Sequence, residues 1–566
     1  MELTETVHIL FPSAQASYEE GSPVSLVADT NVQWYSTIDG YLGEGKTLLV
    51  YLTRGYHTIR AQKGAAIGEI PLTITPIRFI PNSWRTVLLR QGQQNLALPL
   101  GTYIPFLCGN TAEMAVTITL APNAKMIRVD TNRDSSEPFR DIAMALPPGI
   151  TAIQKRLLSR SNSSVLSKNT ISPIEPGTIR AFHVADPSKG TNAPGWEITA
   201  RCAFSSDQFV LWVDTSDALS DEDLHTFFTK ITTHVLPRVQ KIIGVHLDPD
   251  GDGVFNIVMT GKLNQQRLAI GFFNPCDFFP YNNNEQDVAY NPTSNELDSI
   301  YCGIIDEQDS AFRIPSLLAT IAHEYQHLCR FSRKTYSRLL QGWDNPPIED
   351  TSFDEAASHL MENLVGYGIS GGNILFVQKY LQNPDRISLT ARDRDGSTDS
   401  AGKRGMGALF LFYCLEQQGG FHISGDEIYD DGGFVFFKNS IDYAGTGWNY
   451  IQQRFNMDLA SILFMFGKSI VSYPFSNKSI SIVLDPETGE PITLNPYLGT
   501  IAASEPNIPT YTLNGPAKIE LSGPFTVLVN SVVFLKDWQL TTQNHITLSQ
   551  NSKNCTGILG LFMVNN

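Results

Sequence analysis

Thr320-Ile321-Ala322-His323-Glu324-Tyr325-Gln326-His327-Leu328-Cys329 is the stretch around which the rest of the chain is organised. It contains the pattern His-Glu-x-x-His. Leu317, Leu318, Ile321, Ala322, Tyr325 and Leu328 recur at helical spacing behind Pro315-Ser316, so the stretch predicts a helix with an apolar stripe. On that helix His323 and His327 stand one turn apart, and both imidazoles project from one face, away from the stripe. Two nitrogens so placed suit one Zn²⁺. Glu324 is rotated by about 100° from His323 and can reach a metal-bound water without ligating the metal, which marks it as a general base. The neighbours Ile321, Ala322, Tyr325, Gln326, Leu328 and Cys329 are uncharged, as a dry site requires.

Catalytic zinc needs a third protein ligand. A metzincin would place Gly at 330 and His at 333, but Arg330 and Arg333 stand there, which excludes that spacing. The next source is Asp354-Glu355-Ala356-Ala357-Ser358-His359, predicted as a helix with Ala356, Ala357, Leu360, Met361 and Leu364 inward. Glu355 is the expected ligand. Glu362 and His359 compete for the role on the same helix, and Glu349 does so from a loop.

These motifs resemble the hyicolysin-type zinc metallopeptidases of the gluzincin group. The likeness rests on His-Glu-Tyr-Gln-His-Leu, on Phe353-Asp354-Glu355-Ala356-Ala357-Ser358 downstream, on Asp248-Pro249-Asp250-Gly251-Asp252-Gly253 before a strand, and on Met406-Gly407-Ala408-Leu409-Phe410-Leu411-Phe412. It covers residues 220–470. The resemblance implies a zincin fold, secretion, one catalytic Zn²⁺ on His323, His327 and Glu355, and Glu324 as base. Two positions depart from the family pattern. Asn-Glu-Gly is usual where Asp354-Glu355-Ala356 stands, and the acid that often orients a ligand histidine is replaced by His359.

Working outwards, residues 1–76 alternate in strand fashion between Asp-Gly and Gly-rich turns. Trp34, Asp39-Gly40, Leu42-Gly43, Gly45, Leu52, Gly55 and His57-Thr58-Ile59 resemble a bacterial Ig-like domain, in which His57 is a strand residue and not a ligand. Residues 77–218 read as a second β-rich domain. Ser220 followed by Asp221, Glu222 and Asp223 then marks a helix start, and helical patterns dominate to about residue 472. Residues 478–566 return to strands. The expected fold is therefore multidomain, an α+β zincin-like catalytic domain at 219–477 flanked by all-β Ig-like or sandwich domains.

The chain has 566 residues with 41 Lys+Arg against 57 Asp+Glu, a net −16. With no basic run visible, nucleic acid is a poor partner. No apolar stretch reaches the ~18–20 residues of a membrane helix. Met1 to Glu5 has neither a basic nor an apolar leader region, so a secreted or cell-surface protein implies a leader already removed. Seven cysteines are too few for a disulfide scaffold. Cys108 with Cys202 and Cys276 with Cys302 are pairing options against buried thiols throughout.

Asp248, Asp250 and Asp252 match the start of a calcium loop, but the twelfth position is Met259 where an EF-hand needs an acid. Ca²⁺ and a solvated turn stand as alternatives. Arg392-Asp393-Arg394-Asp395 reads as a solvated loop. For the oxyanion donor Tyr367, Tyr380 and His359 are candidates. The reading is a zinc endopeptidase acting on protein or peptide substrates, its β domains available to bind host or surface proteins. The rival is a non-catalytic adhesin on a degenerate zincin scaffold.

Overall fold

Strand Val24–Ser36 organises the N-terminal segment of the chain in the computed structural model. The structure describes residues 6–75 apart from 20, 21, 23 and 51; 83–119 apart from 90, 99, 110 and 111; 125–126; and 174–472 apart from 192 and 345. Towards the C-terminus it describes 483–493, 499–501, 511–520, 525–540, 544–550 and 557–564. These residues form two compact units. The first draws on Met1–Thr131, Leu463–Asn477 and Ala517–Asn566, and the second on Asn132–Ile462 and Lys478–Pro516.

Within the first unit, Val24–Ser36 buries Val24, Leu26, Ala28, Val32 and Trp34 at alternate or near-alternate positions. It pairs antiparallel with Gly40–Val50, with Gly55–Lys63 and with Ile9–Phe11; Ala66–Thr75 and Ala16–Glu19 extend the set. Trp34 fills the sandwich-like core with Ile59, Leu72 and Ile74, and its indole N–H donates to the Gly45 carbonyl at 3.0 Å. His57 is buried between Ser36 Oγ at 2.7 Å and the Thr53 carbonyl at 2.6 Å, a structural role that leaves no ring nitrogen for a metal.

The second β layer pair corrects the expected boundaries. Gly92–Leu98 and Met114–Thr119 pair with Asn544–Gln550, and Phe525–Val527 joins them. Ser83–Leu89 and Gly101–Gly109 both pair with Gly557–Val564, and Val532–Phe534 and Trp538–Leu540 lie along Gly101–Gly109. One core unites the two sheets, with Leu107, Met114, Val116, Trp538, Leu559 and Leu561 inside. The strands between Ser83 and Met126 and those after residue 525 therefore build one β structure, where separate domains at 77–218 and 478–566 were expected. Alternation marks a strand locally, but its ladder partner can lie anywhere in the chain.

The other end of the expected 77–218 domain belongs to the second unit. Its sheet runs, in spatial order, Ile179–Val184, Trp196–Ser205, Phe209–Asp214, Phe255–Met259, Ser299–Cys302 and Gly271–Phe273. The third to fifth are mutually parallel and every residue in them is buried, as befits strands covered on both faces. Helices α1 (Asp221–Lys230) and α2 (Leu236–Ile243), joined by a π-helical stretch, cross between the first two of these three strands. Ser220 caps α1 by accepting from the Asp223 N–H, as its sequence predicts. Then follow α3 (Gly261–Gln266), α4 (Ile314–Arg330), α5 (Ser337–Leu340), α6 (Thr351–Leu364), α7 (Asn373–Gln382), α8 (Ala401–Gln417), α9 (Gly433–Asp442) and α10 (Gly447–Phe455). Helix α4 lies close on the sheet at Gly271, where a Cβ would meet Thr320 Cγ2 at 2.5 Å. The protein is thus a mixed multidomain α+β chain with β-sandwich-like parts.

Two smaller expectations change. The six described cysteines are buried thiols, not disulfides, so neither proposed pairing forms; Cys555 lies outside the described residues. Asp393 is buried and not solvated: it accepts from the Ser388 N–H and Ser400 Oγ and pairs with Lys403 at 3.2 Å, tying its loop to the start of α8.

Candidate metal centre

Helix α4 is apolar on one side as its sequence predicts, but its polar side is buried as well. Every residue from Ile314 to Arg330 except Pro315 is buried. What covers the polar side is α6, whose own polar residues Glu355, Ser358, His359 and Glu362 are also buried. Asp350 caps α6 through the Ser352 N–H and hydroxyl, and Trp448 donates to the same hydroxyl at 2.9 Å. Two helices with polar faces turned inward place histidines and carboxylates in a dry space, where each must be paired or hold an ion.

His323 Nε2 lies 3.4 Å from Glu355 Oε2, and His327 Nε2 lies 3.7 Å from Glu355 Oε1. One ligand atom from each of these three residues falls within 4.8 Å of the others. Each imidazole is held by a carboxylate on its other nitrogen. His323 Nδ1 donates to Glu362 Oε1 at 2.7 Å, and His327 Nδ1 lies 3.1 Å from Asp354 Oδ2. This is the outer-shell arrangement that fixes the tautomer of a metal-binding histidine and leaves Nε2 for the metal. His323 Nε2 is buried and makes no hydrogen bond. The donor set of two imidazoles and one carboxylate fits Zn²⁺.

The two family departures acquire a physical meaning here. Asp354, standing where Asn is usual, supplies the carboxylate for His327, and Arg330 Nε pairs with it at 2.9 Å. His359 does not orient His323; Glu362, one turn further along α6, does. His359 instead packs edge-on to His323 at 4.8 Å, and its Nδ1 lies 2.7 Å from Asn373 Oδ1 and 2.9 Å from Glu362 Oε1. His323, His359 and Glu362 form a second set whose ligand atoms lie within 4.8 Å.

Electrostatics separate the histidines. Burial, with the charges of His327 and Arg404, pushes the His323 pKa well below the ordinary imidazole range, and burial with His323 and Arg404 does the same to His359. Burial also opposes the His327 cation, but Asp354, Glu355 and Glu324 outweigh it and raise that pKa to about 9. Asp354 is drawn below the carboxylate range by His327, Arg330 and Lys334 against the effect of burial.

Glu324 is buried, and its charge acts on His327. Glu349 is excluded as a third ligand because it is an anchor elsewhere: it accepts from Arg330, Lys334 and the Gly447 N–H. Of the oxyanion candidates, His359 belongs to the cluster. Tyr367 packs edge-on to His234, and Tyr380 is buried within α7. Sequence reasoning missed Arg404, which is buried and holds Glu355 Oε2 at 2.6 Å while pairing with Asp399 at 2.8 Å. Its only sequence signal is its place two residues before Met406. Asp248, Asp250 and Asp252 also come together, each with an oxygen within 4.8 Å of the other two.

No protein-family model matches the chain, and no curated protein does. Among solved structures, Salmonella alpha-2-macroglobulin reacted with methylamine aligns with 99% of this chain and 40% of that chain, at 9% identity and a TM-score of 0.10. A similarity of that size carries no argument about fold or function.

Proposed function

We propose that the chain is a zinc-dependent endopeptidase, secreted or at the cell surface, with a zincin-like domain in its α+β unit. The observation that carries the reading is His323: its Nδ1 is committed to Glu362, while its buried Nε2 makes no hydrogen bond and faces Glu355 beside His327. His323, His327 and Glu355 would hold the metal. When bound, zinc supplies a water acidified towards neutral pH and a Lewis acid for a peptide carbonyl. Glu324 takes a proton from the attacking water and returns it to the leaving amine, which spares an unstable amide anion. Glu362 and Asp354 keep both imidazoles in the tautomer that presents Nε2. No helix of the described residues is long and apolar enough to cross a membrane.

The test is casein cleavage by the wild type and by Glu324→Gln, with zinc measured in both. Cleavage that is lost with Glu324→Gln while zinc stays bound supports the proposal. Absence of zinc, or equal cleavage by both proteins, refutes it. A second reading, a non-catalytic adhesin or interaction protein, is favoured by Arg404, because a guanidinium 2.6 Å from the third ligand competes with a metal for it. Zinc bound by the wild type without any cleavage would favour that reading.

A further inference from the structure

The loop after α2 brings Asp248, Asp250 and Asp252 together through two tight turns. Gly251 and Gly253 adopt φ of 79° and 83°, and their N–H groups donate to Asp248 Oδ1 at 2.6 Å and Oδ2 at 2.8 Å. An Asp-Gly turn does this without any ion. A fourth acid from another segment changes the reading. Asp298 precedes strand Ser299–Cys302, and its carbonyl accepts from the Asn256 N–H at 2.8 Å, so the parallel ladder sets it beside the end of the loop.

The Asp298 side chain is fully buried. One oxygen accepts from His246 Nε2 at 2.6 Å; the other, Oδ1, has no hydrogen-bond partner, and neither does the buried Oδ1 of Asp250. The Asp298 carboxylate lies close enough to the loop that its charge acts on Asp250, and those of Asp248 and Asp252 act on it. His246 and Arg180 are basic groups whose charges act on Asp252. A buried carboxylate oxygen without a donor is costly.

We propose that Asp298 completes a Ca²⁺ site with Asp248, Asp250 and Asp252. All the donors are hard oxygens, and Ca²⁺ accepts an irregular set at 2.3–2.6 Å, where Mg²⁺ demands a near-ideal octahedron and keeps its waters. The twelfth loop position, Met259, is buried in a strand and supplies no acid; Asp298 supplies one from the neighbouring strand. The site also reaches the metal-binding helix. With Asp298 as a carboxylate, His246 Nε2–H donates to it, and His246 Nδ1 accepts from the hydroxyl of Tyr325 on α4 at 3.0 Å. Calcium at this loop therefore steadies the helix that carries His323 and His327.

The experiment uses the full chain, freed of divalent ions on a chelating resin, restored with one equivalent of zinc and titrated calorimetrically with CaCl₂. The wild type should bind one Ca²⁺ and melt at a higher temperature in its presence. Asp250→Asn and Asp298→Asn should each weaken binding at least tenfold, and Asp250→Asn without calcium should melt no lower than the wild type, since a mutual repulsion is removed. Should either variant fail to fold, Asp252→Asn serves in its place. No calcium binding by the wild type overturns the site. Wild-type affinity in Asp298→Asn overturns the fourth ligand, and equal affinity for MgCl₂ overturns the choice of ion. None of these outcomes depends on peptidase activity.

Discussion

Replacing Glu362 by Gln keeps the shape of the side chain and removes its charge. Glu362 Oε1 accepts from His323 Nδ1 at 2.7 Å and lies 2.9 Å from His359 Nδ1, in a site closed to water. A buried hydrogen bond to a charged acceptor contributes about 1.5–3 kcal/mol. Partners behind metal-binding histidines typically govern about 10–100-fold in metal affinity, which is about 1.4–2.8 kcal/mol. The two estimates agree, so Glu362→Gln should weaken zinc binding 10–100-fold. Competition with a chromophoric chelator reads this, with Glu324→Gln as the control that stays within about twofold because it is no ligand. Gly371→Ala offers a second route to the same carboxylate, since a Cβ there would sit 1.9 Å from Glu362 Oε2. Wild-type zinc affinity in both variants would refute the positioning role. Complete loss of zinc in Glu362→Gln with full retention in Glu355→Gln would make His323, His359 and Glu362 the metal set instead.

Glu355→Gln should reduce zinc content to background by elemental analysis while the far-UV circular dichroism stays unchanged; retained zinc would remove Glu355 from the ligand set. Glu349→Ala leaves buried Arg330 and Lys334 without their shared carboxylate, so urea denaturation should show a loss of about 3–5 kcal/mol, with normal zinc content in the folded protein. Burial pushes the Glu490 pKa up to about 7, against bonds from Ser370 and the Ile369 and Ser370 N–H groups. A carboxyl raised in the folded state stabilises fully below its unfolded pKa, and that stability fades as pH rises through the folded value. Unfolding free energy should thus fall by roughly 3 kcal/mol between about pH 4.5 and 7, and Glu490→Gln should flatten the slope.

The sequence alone determined the two helices of the site and the residues they offer. His323, Glu324 and His327 follow from a periodicity of 3.6, as does the shared face of Glu355, His359 and Glu362, because helical spacing is a local property of the chain. The strands around Trp34 were legible for the same reason, with a period of two. The tertiary structure decided what each side chain does. Glu362 and Asp354 became the carboxylates behind the histidines, Glu349 became the anchor of two buried cations, and Arg404 arrived from α8 onto Glu355. It also joined the described strands between Ser83 and Met126 to those after 525, gave strands 179–214 to the α+β sheet, and brought Asp298 to the acidic loop. Each of these is a contact between segments far apart in sequence. Burial and ladder pairing set such contacts, and neither leaves a periodic mark in the residues that make them.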